Sequence, residues 1–199
     1  MNDATSAKPA ASLEALNAAG QGVRVEFRWQ KDRFSHTVFG VRSGLAVPLL
    51  ESVEGVDEDC FPPSPPWAEL HQQGEAILLT GATAAGHWSM SLGIADSRFL
   101  LFDVACRLRA GDGAIQSVYK IAGANTLCSA TSPGAVVASE AGYSVSVGPH
   151  GLEPSCGCQV TCDDEQAHPS RISVVPTDEN PRTFPATVRW RYGVCWAVG

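Results

Sequence analysis

Residues 86–109 read GHWSMSLGIADSRFLLFDVACRLR, and this stretch decides the expected fold. Two runs of alternating apolar and polar residues are separated by a short turn, which is the pattern of an antiparallel β-hairpin. The apolar residues of the first run share one face: Trp88, Met90, Leu92 and Ile94. Those of the second run do the same: Leu100, Phe102, Val104, Cys106 and Leu108. The hairpin therefore has one face suited to a protein core and one polar face.

The polar face of the hairpin gathers residue types that bind anions or carry out acid–base chemistry. These residues are His87, Ser89, Ser91, Asp103, Arg107 and Arg109. A register that keeps the apolar side chains together sets His87 opposite Arg107 and Ser91 opposite Asp103, whereas a shift by two residues sets Ser89 opposite Asp103. Both registers leave the same polar set on one face.

Asp103 is expected to need a partner, because Phe99 and Leu101 lie on the same face and cover part of it. Arg107 is two positions along that face. We favour a structural Asp103–Arg107 ion pair, with a ligand site or a catalytic group as the alternatives. No motif selects among them.

The same alternation recurs on both sides of the hairpin, most clearly over residues 23–30 and 187–196. About nine to eleven short strands are predicted, which is typical of a β-sandwich or an open β-barrel. We therefore expect a mainly β, single-domain antiparallel fold over residues 23–199, with Trp29, Trp88 and Trp190 in its core. Residues 1–22 are expected to be a flexible segment that contains a short helix from Ser12.

A proline-rich stretch, CFPPSPPW at residues 60–67, interrupts the strand pattern. Its PxxP spacing fits a ligand of an aromatic-grooved module. We favour a rigid loop instead, which Phe61 and Trp67 anchor to the core. Pro65 and Pro66 also suit the first turn of a second short helix in the residues that follow.

Composition limits the function classes. The chain has 199 residues, of which 44% are hydrophobic, and a formal net charge of −7, which argues against nucleic-acid binding. The longest apolar run is far shorter than the roughly 18 residues of a membrane span. No secretory signal is visible, so a soluble, cytoplasmic protein without a membrane is expected, and stable disulfides are not. Seven cysteines leave at least one unpaired.

Arginines recur in pairs on single strand faces. The pairs are Arg24 with Arg28, Arg107 with Arg109, and Arg189 with Arg191. If the three strands are neighbours in one sheet, six guanidinium groups line one surface that suits carboxylate or phosphate. The alternative is a set of scattered surface arginines that keep an acidic protein soluble.

A cysteine cluster offers a candidate metal site, formed by Cys156, Cys158 and Cys162 with His168 as a fourth ligand. A redox-active pair or inert buried cysteines fit the same residues. Cys106 alternates with apolar residues and is expected in the core. Cys128 lies among polar residues and is expected to be exposed.

Two function hypotheses follow. The favoured one is non-enzymatic binding of an anionic small molecule or a protein partner on the arginine-bearing face. The alternative is a hydrolase or metal-dependent enzyme that uses His87, Asp103 and Arg107, or metal at the cysteine cluster. No cofactor and no catalytic residue is identified by a motif.

Overall fold

Antiparallel β-strands make up almost all of the regular structure. The computed structural model describes residues 8–56, 58–96, 99–111, 113–123, 125–150, 156–163, 170–177 and 183–197, with the backbone alone at residue 96. Fifteen strands lie in this part of the chain: β1 (Ala11–Leu16), β2 (Gln21–Gln30), β3 (Arg33–Arg42), β4 (Leu45–Ser52), β5 (Glu69–Gln73), β6 (Ala76–Ala82), β7 (Gly86–Asp96), β8 (Phe99–Leu108), β9 (Ser117–Ile121), β10 (Thr126–Thr131), β11 (Gly134–Ser139), β12 (Ser144–Pro149), β13 (Cys158–Cys162), β14 (Arg171–Pro176) and β15 (Ala186–Trp196).

The strands form two sheets that pack face to face, so the fold is a β-sandwich, one of the two predicted architectures. One sheet has seven strands in the order β1-β2-β3-β4-β9-β14-β13, and the other has eight in the order β10-β11-β12-β15-β8-β7-β6-β5. Alternate residues of each strand point inward and form one apolar core. The remaining residues form two outer faces on opposite sides of the sandwich.

The predicted hairpin is confirmed as β7 and β8 at the centre of the eight-stranded sheet. His87 pairs with Arg107 and Ser91 with Asp103, as in the first of the two predicted registers. Phe102 and Cys106 are fully buried, so the inward position of Cys106 is also confirmed. The alternation predicted the inward position of Cys106 correctly because a one-residue slip would move every apolar side chain to the outer face.

Both predicted helices are wrong. The stretch from Ser12 to Leu16 belongs to β1, which pairs with β2 and buries Ala11, Leu13 and Ala15. Part of the segment expected to be flexible is thus an edge strand, whose short alternation was hidden by small residues. The residues after Pro66 form β5 rather than a helix.

The proline-rich loop packs as the rigid-loop interpretation predicts. Trp67 is 1% exposed, and Phe61 packs against the core. Ser64 Oγ donates to the carbonyl of Val118 (3.0 Å) and accepts from its N–H (3.1 Å). The loop is therefore held by both apolar and polar contacts.

The tryptophans are distributed differently from the prediction. Trp88 and Trp190 are buried and meet edge to face, but Trp29 is 53% exposed near the end of β2 and contacts Phe34. No helix among the described residues is long and apolar enough to span a membrane.

Candidate functional site

Three neighbouring strands carry the candidate residues on the outer face of the eight-stranded sheet. β8 lies between β7 and β15, and both neighbours pair with it along most of their length. We call this surface the basic face. It consists of His87, Asp103, Arg107, Arg109, Arg189 and Arg191.

Asp103 is held by two arginines of β15. Arg189 Nε donates to Oδ1 at 2.7 Å, and its Nη2 also contacts the carboxylate. Arg191 Nη2 donates to Oδ2 at 2.8 Å. Arg191 lies directly opposite Asp103 in the register, and Arg189 lies opposite Ala105 beside it. The Asp103 carboxylate therefore accepts hydrogen bonds from two guanidinium groups of the same neighbouring strand.

This arrangement corrects the predicted Asp103–Arg107 pair. Arg107 lies four residues along β8, which is about 13 Å of strand, whereas cross-strand side chains start only about 5 Å apart. The sequence separation between Asp103 and Arg189 hid the true partner.

The arginines also determine the charge of Asp103. Burial on its own would raise the pKa of this carboxyl group, but the hydrogen bonds and charges of Arg189 and Arg191 outweigh burial and lower the pKa. Asp103 therefore stays ionised at neutral pH. It lies four residues from the partner of His87, so the two do not form an acid–base pair.

His87, Arg107 and Arg109 form the exposed end of the basic face. Arg109 Nη2 lies 2.6 Å from His87 Nε2. A guanidinium group only donates, so Nε2 accepts and the imidazole proton of His87 is on Nδ1. Arg107 lies opposite His87 and makes no side-chain hydrogen bond or ion pair with the described residues. Arg107 is thus an exposed guanidinium group at this end of the face with no counter-ion among the described residues.

Arg24 and Arg28 do not join the basic face, because the condition for six converging arginines, three neighbouring strands in one sheet, is not met. Both lie on β2, in the seven-stranded sheet, and point outward on the opposite side of the sandwich. Arg24 contacts Glu14 and Glu26, and Arg28 Nη2 lies 2.9 Å from Glu26 Oε2. These arginines form a surface ion-pair network.

The cysteine cluster is not assembled into a metal site. Among the described residues, no group of three His, Cys, Asp or Glu side chains is placed to hold a metal ion. Cys158 Sγ donates to the carbonyl of Arg191 at 3.3 Å, whereas Cys162 Sγ lies 3.2 Å from Cys128 Sγ. Cys156 is buried, and His168 lies outside the described residues. Cys128 is buried, contrary to prediction, because it points inward from β10.

A chain of buried polar side chains, which the sequence did not predict, lies between the sheets. His36 Nε2 lies 3.0 Å from the Tyr119 hydroxyl, which lies 2.6 Å from the hydroxyl of Tyr192. Burial lowers the pKa of His36 to about 3, so its imidazole is neutral. The available signal was that each residue occupies an apolar-facing position in its strand pattern, as Tyr192 does between Trp190 and Val194.

Glu54 lies next to this chain, just after β4. Ser52 Oγ donates to Glu54 Oε1 at 2.6 Å and accepts from the backbone N–H of His36. Glu54 Oε2 is buried and has no hydrogen-bond partner among the described residues. Burial raises the pKa of Glu54 to about 7, an effect that the Ser52 hydrogen bond and the charge of Arg33 offset in part. Glu54, whose pKa is raised, and His36, whose pKa is lowered, thus lie close together.

Comparisons with known proteins do not assign the chain to a family. No family model matches it, and none of the curated proteins is similar to it in sequence. One solved structure with a similar arrangement is that of a heparinase III, the BT4657 gene product with methylated lysines. The TM-score is 0.48 and the sequence identity 9%, over 93% of this chain and 36% of that chain. This chain thus spans about a third of that protein's length.

Proposed function

We propose that the basic face binds a small anionic molecule that presents two or more oxygens, such as a phosphate monoester or a carboxylate. The observation that carries the proposal is Arg107, an exposed guanidinium group without a counter-ion among the described residues, in a row of arginines. A guanidinium group can donate two parallel hydrogen bonds to such an anion.

The neighbours of Arg107 support the same class of ligand. His87 lies directly across from it on β7, and Thr187 lies across from it on β15. Arg189 lies two residues beyond Thr187 on β15, diagonally across from Arg107, at a distance that long side chains can span. An anion above Arg107 would therefore meet donors from three strands.

Asp103 has a supporting role in this proposal. Its carboxylate fixes the guanidinium groups of Arg189 and Arg191, which reduces the side-chain freedom that ligand binding would otherwise have to remove.

The protein as a whole is acidic, with a net charge of −7. A local positive patch on such a protein would attract anions to the basic face rather than to the rest of the surface. Binding on an open sheet face would be sensitive to salt because dissolved ions screen exposed charges. The affinity should therefore fall as ionic strength rises.

Replacing Arg107 by alanine is expected to weaken binding of phenyl phosphate or citrate by about tenfold, since one charge-assisted contact is lost. Thermal-shift titrations of each anion at constant ionic strength measure the change. Arg189→Ala should weaken binding as well. The unliganded variants should unfold at nearly the wild-type temperature, because both side chains are exposed.

Arg28→Ala is the matched control, because Arg28 lies on the opposite face of the sandwich and should leave anion binding unchanged. Equal responses of wild type and Arg107→Ala to every anion would contradict the proposal. The proposal would also be contradicted if the protein bound an acidic peptide through Arg107 but bound neither phenyl phosphate nor citrate.

A further inference from the structure

Two cysteines meet where the edges of the two sheets face each other. Cys128 lies on β10, the first strand of the eight-stranded sheet, and Cys162 ends β13, the last strand of the seven-stranded sheet. Their Sγ atoms are 3.2 Å apart. The two residues are 34 positions apart in sequence. This contact therefore joins distant parts of the chain across one open side of the sandwich.

We propose that Cys128 and Cys162 are an oxidisable thiol pair that forms a disulfide bond between the two sheets. A disulfide has an S–S length of about 2.04 Å, so the two sulfurs need to approach by only about 1.2 Å. Edge strands have one unpaired side and can make such an adjustment without breaking the ladder within either sheet.

The two thiols differ in access, which sets the order of the reaction. Cys162 is half-buried, whereas Cys128 is 8% exposed. A low-molecular-weight disulfide, such as oxidised glutathione, therefore reaches Cys162 first. The Cys162 thiol gives its proton to solvent, its sulfur attacks the glutathione disulfide, and one glutathione leaves as the thiolate.

Cys128 then completes the bond. Its thiol gives up its proton, its sulfur attacks the Cys162 sulfur of the mixed disulfide, and the second glutathione leaves. Two protein thiols are oxidised to one disulfide, and the two electrons reduce oxidised glutathione to two glutathione molecules. Both leaving thiolates take a proton from solvent.

The surroundings of the pair make the second step dependent on pH. Burial, the hydrogen bond and charge of Cys162 and the charge of Asp163 all raise the pKa of the Cys128 thiol while Cys162 is itself a thiol. Once Cys162 is in the mixed disulfide, burial and the charge of Asp163 still raise this pKa. Asp163 is the charged group next to the pair, and its carboxylate accepts from the backbone N–H groups of Ser170 (2.7 Å) and Arg171 (3.0 Å). Ring closure should therefore accelerate from pH 7 to pH 9 as more Cys128 thiolate forms.

The cross-link should raise thermal stability because it closes a long loop in the unfolded chain. For a loop of this length we expect the midpoint of thermal unfolding to rise by about 5–10 °C. A mixed disulfide on Cys162 alone closes no loop and should give no such rise. The temperature shift thus separates the cross-link from simple thiol modification.

The experiment oxidises the full chain with oxidised glutathione, alkylates remaining thiols and maps the peptides without reduction. The expected result is a peptide pair linked through Cys128 and Cys162, together with the rise in unfolding temperature, both reversed by dithiothreitol. Cys162→Ser and Cys128→Ala should each lose both signals. Cys195→Ser is the matched control, a half-buried cysteine whose Sγ lies 2.9 Å from Ser146 Oγ, and it should keep both signals.

If a variant fails to fold, the wild-type protein is sufficient to test the proposal. Detection of the linked peptide, and its loss after treatment with reductant, need no substitution. A stable glutathione adduct on Cys162 without the linked peptide would overturn the proposal. Linkage of either cysteine to a different partner would also overturn it.

Discussion

Replacing Glu54 by glutamine is expected to raise the free energy of unfolding at pH 8 by about 3 kcal/mol. Burial raises the pKa of this carboxyl group from 4.5 to about 7, so the folded state binds its proton more tightly than the unfolded state does. Its stabilising contribution is therefore complete below pH 4.5 and is lost as the pH rises through 7. At pH 8 the wild type carries a buried carboxylate whose Oε2 finds no hydrogen-bond partner in the part of the chain that the structure describes.

Glutamine removes that charge and keeps an oxygen that can accept from Ser52 Oγ. Urea unfolding of wild type and Glu54→Gln between pH 4 and pH 8 measures the difference, which should shrink to near zero at pH 4. Glu51→Gln is the control, because the exposed Glu51 carboxylate pairs with Lys120 and its loss should change stability by less than about 0.5 kcal/mol. A variant less stable than wild type at pH 8 would show that the attraction of Arg33 exceeds the cost of burial.

The central hairpin shows what the sequence of this protein predicts well. Its apolar alternation and short turn are local features, so they predicted the pairing of β7 with β8, limited the register to two alternatives and placed Cys106 inward. The sandwich follows from many such strands with turns between them. Each of these inferences needs only neighbouring residues.

The partners of Asp103 show where such inference ends. The sequence identified Asp103 as a partly covered carboxylate that needed a cation, and this is what the structure contains. Its cations come from β15, more than eighty residues away, and no local pattern says that β15 lies beside β8. The same missing information about strand order explains why Arg24 and Arg28 were grouped with arginines of the other sheet.

Glu54 and His36 were missed for a different reason. Glu54 follows β4 in an acidic stretch whose composition suggests solvent-exposed carboxylates. Its burial depends on residues of other strands, such as Arg33 and Tyr119, and on Ser52, which bonds to both Glu54 and the backbone of His36. Composition describes a segment, whereas burial is a property of the fold around it.

Acid is expected to destabilise the Glu54→Gln variant through His36, by about 2 kcal/mol between pH 8 and pH 5 and about 4 kcal/mol at pH 3. Burial lowers the pKa of His36 from 6.5 to about 3, so the unfolded state binds its proton more tightly. The stabilising contribution is complete above pH 6.5 and is lost as the pH falls toward 3. Rings of Phe27, Phe102 and Tyr119 surround the imidazole and exclude water that would solvate its charge.

The wild type hides this loss, because protonation of Glu54 stabilises the fold by about 2–3 kcal/mol over the same range from pH 8 to pH 5. The two groups thus oppose each other, and only a variant without one of them shows the other. Adding His36→Gln to Glu54→Gln should remove the loss between pH 8 and pH 5. Adding His71→Gln, at an exposed position of β5, should leave it unchanged. A His36 imidazole that titrates near pH 6.5 by NMR in the folded wild type would contradict the prediction without any variant.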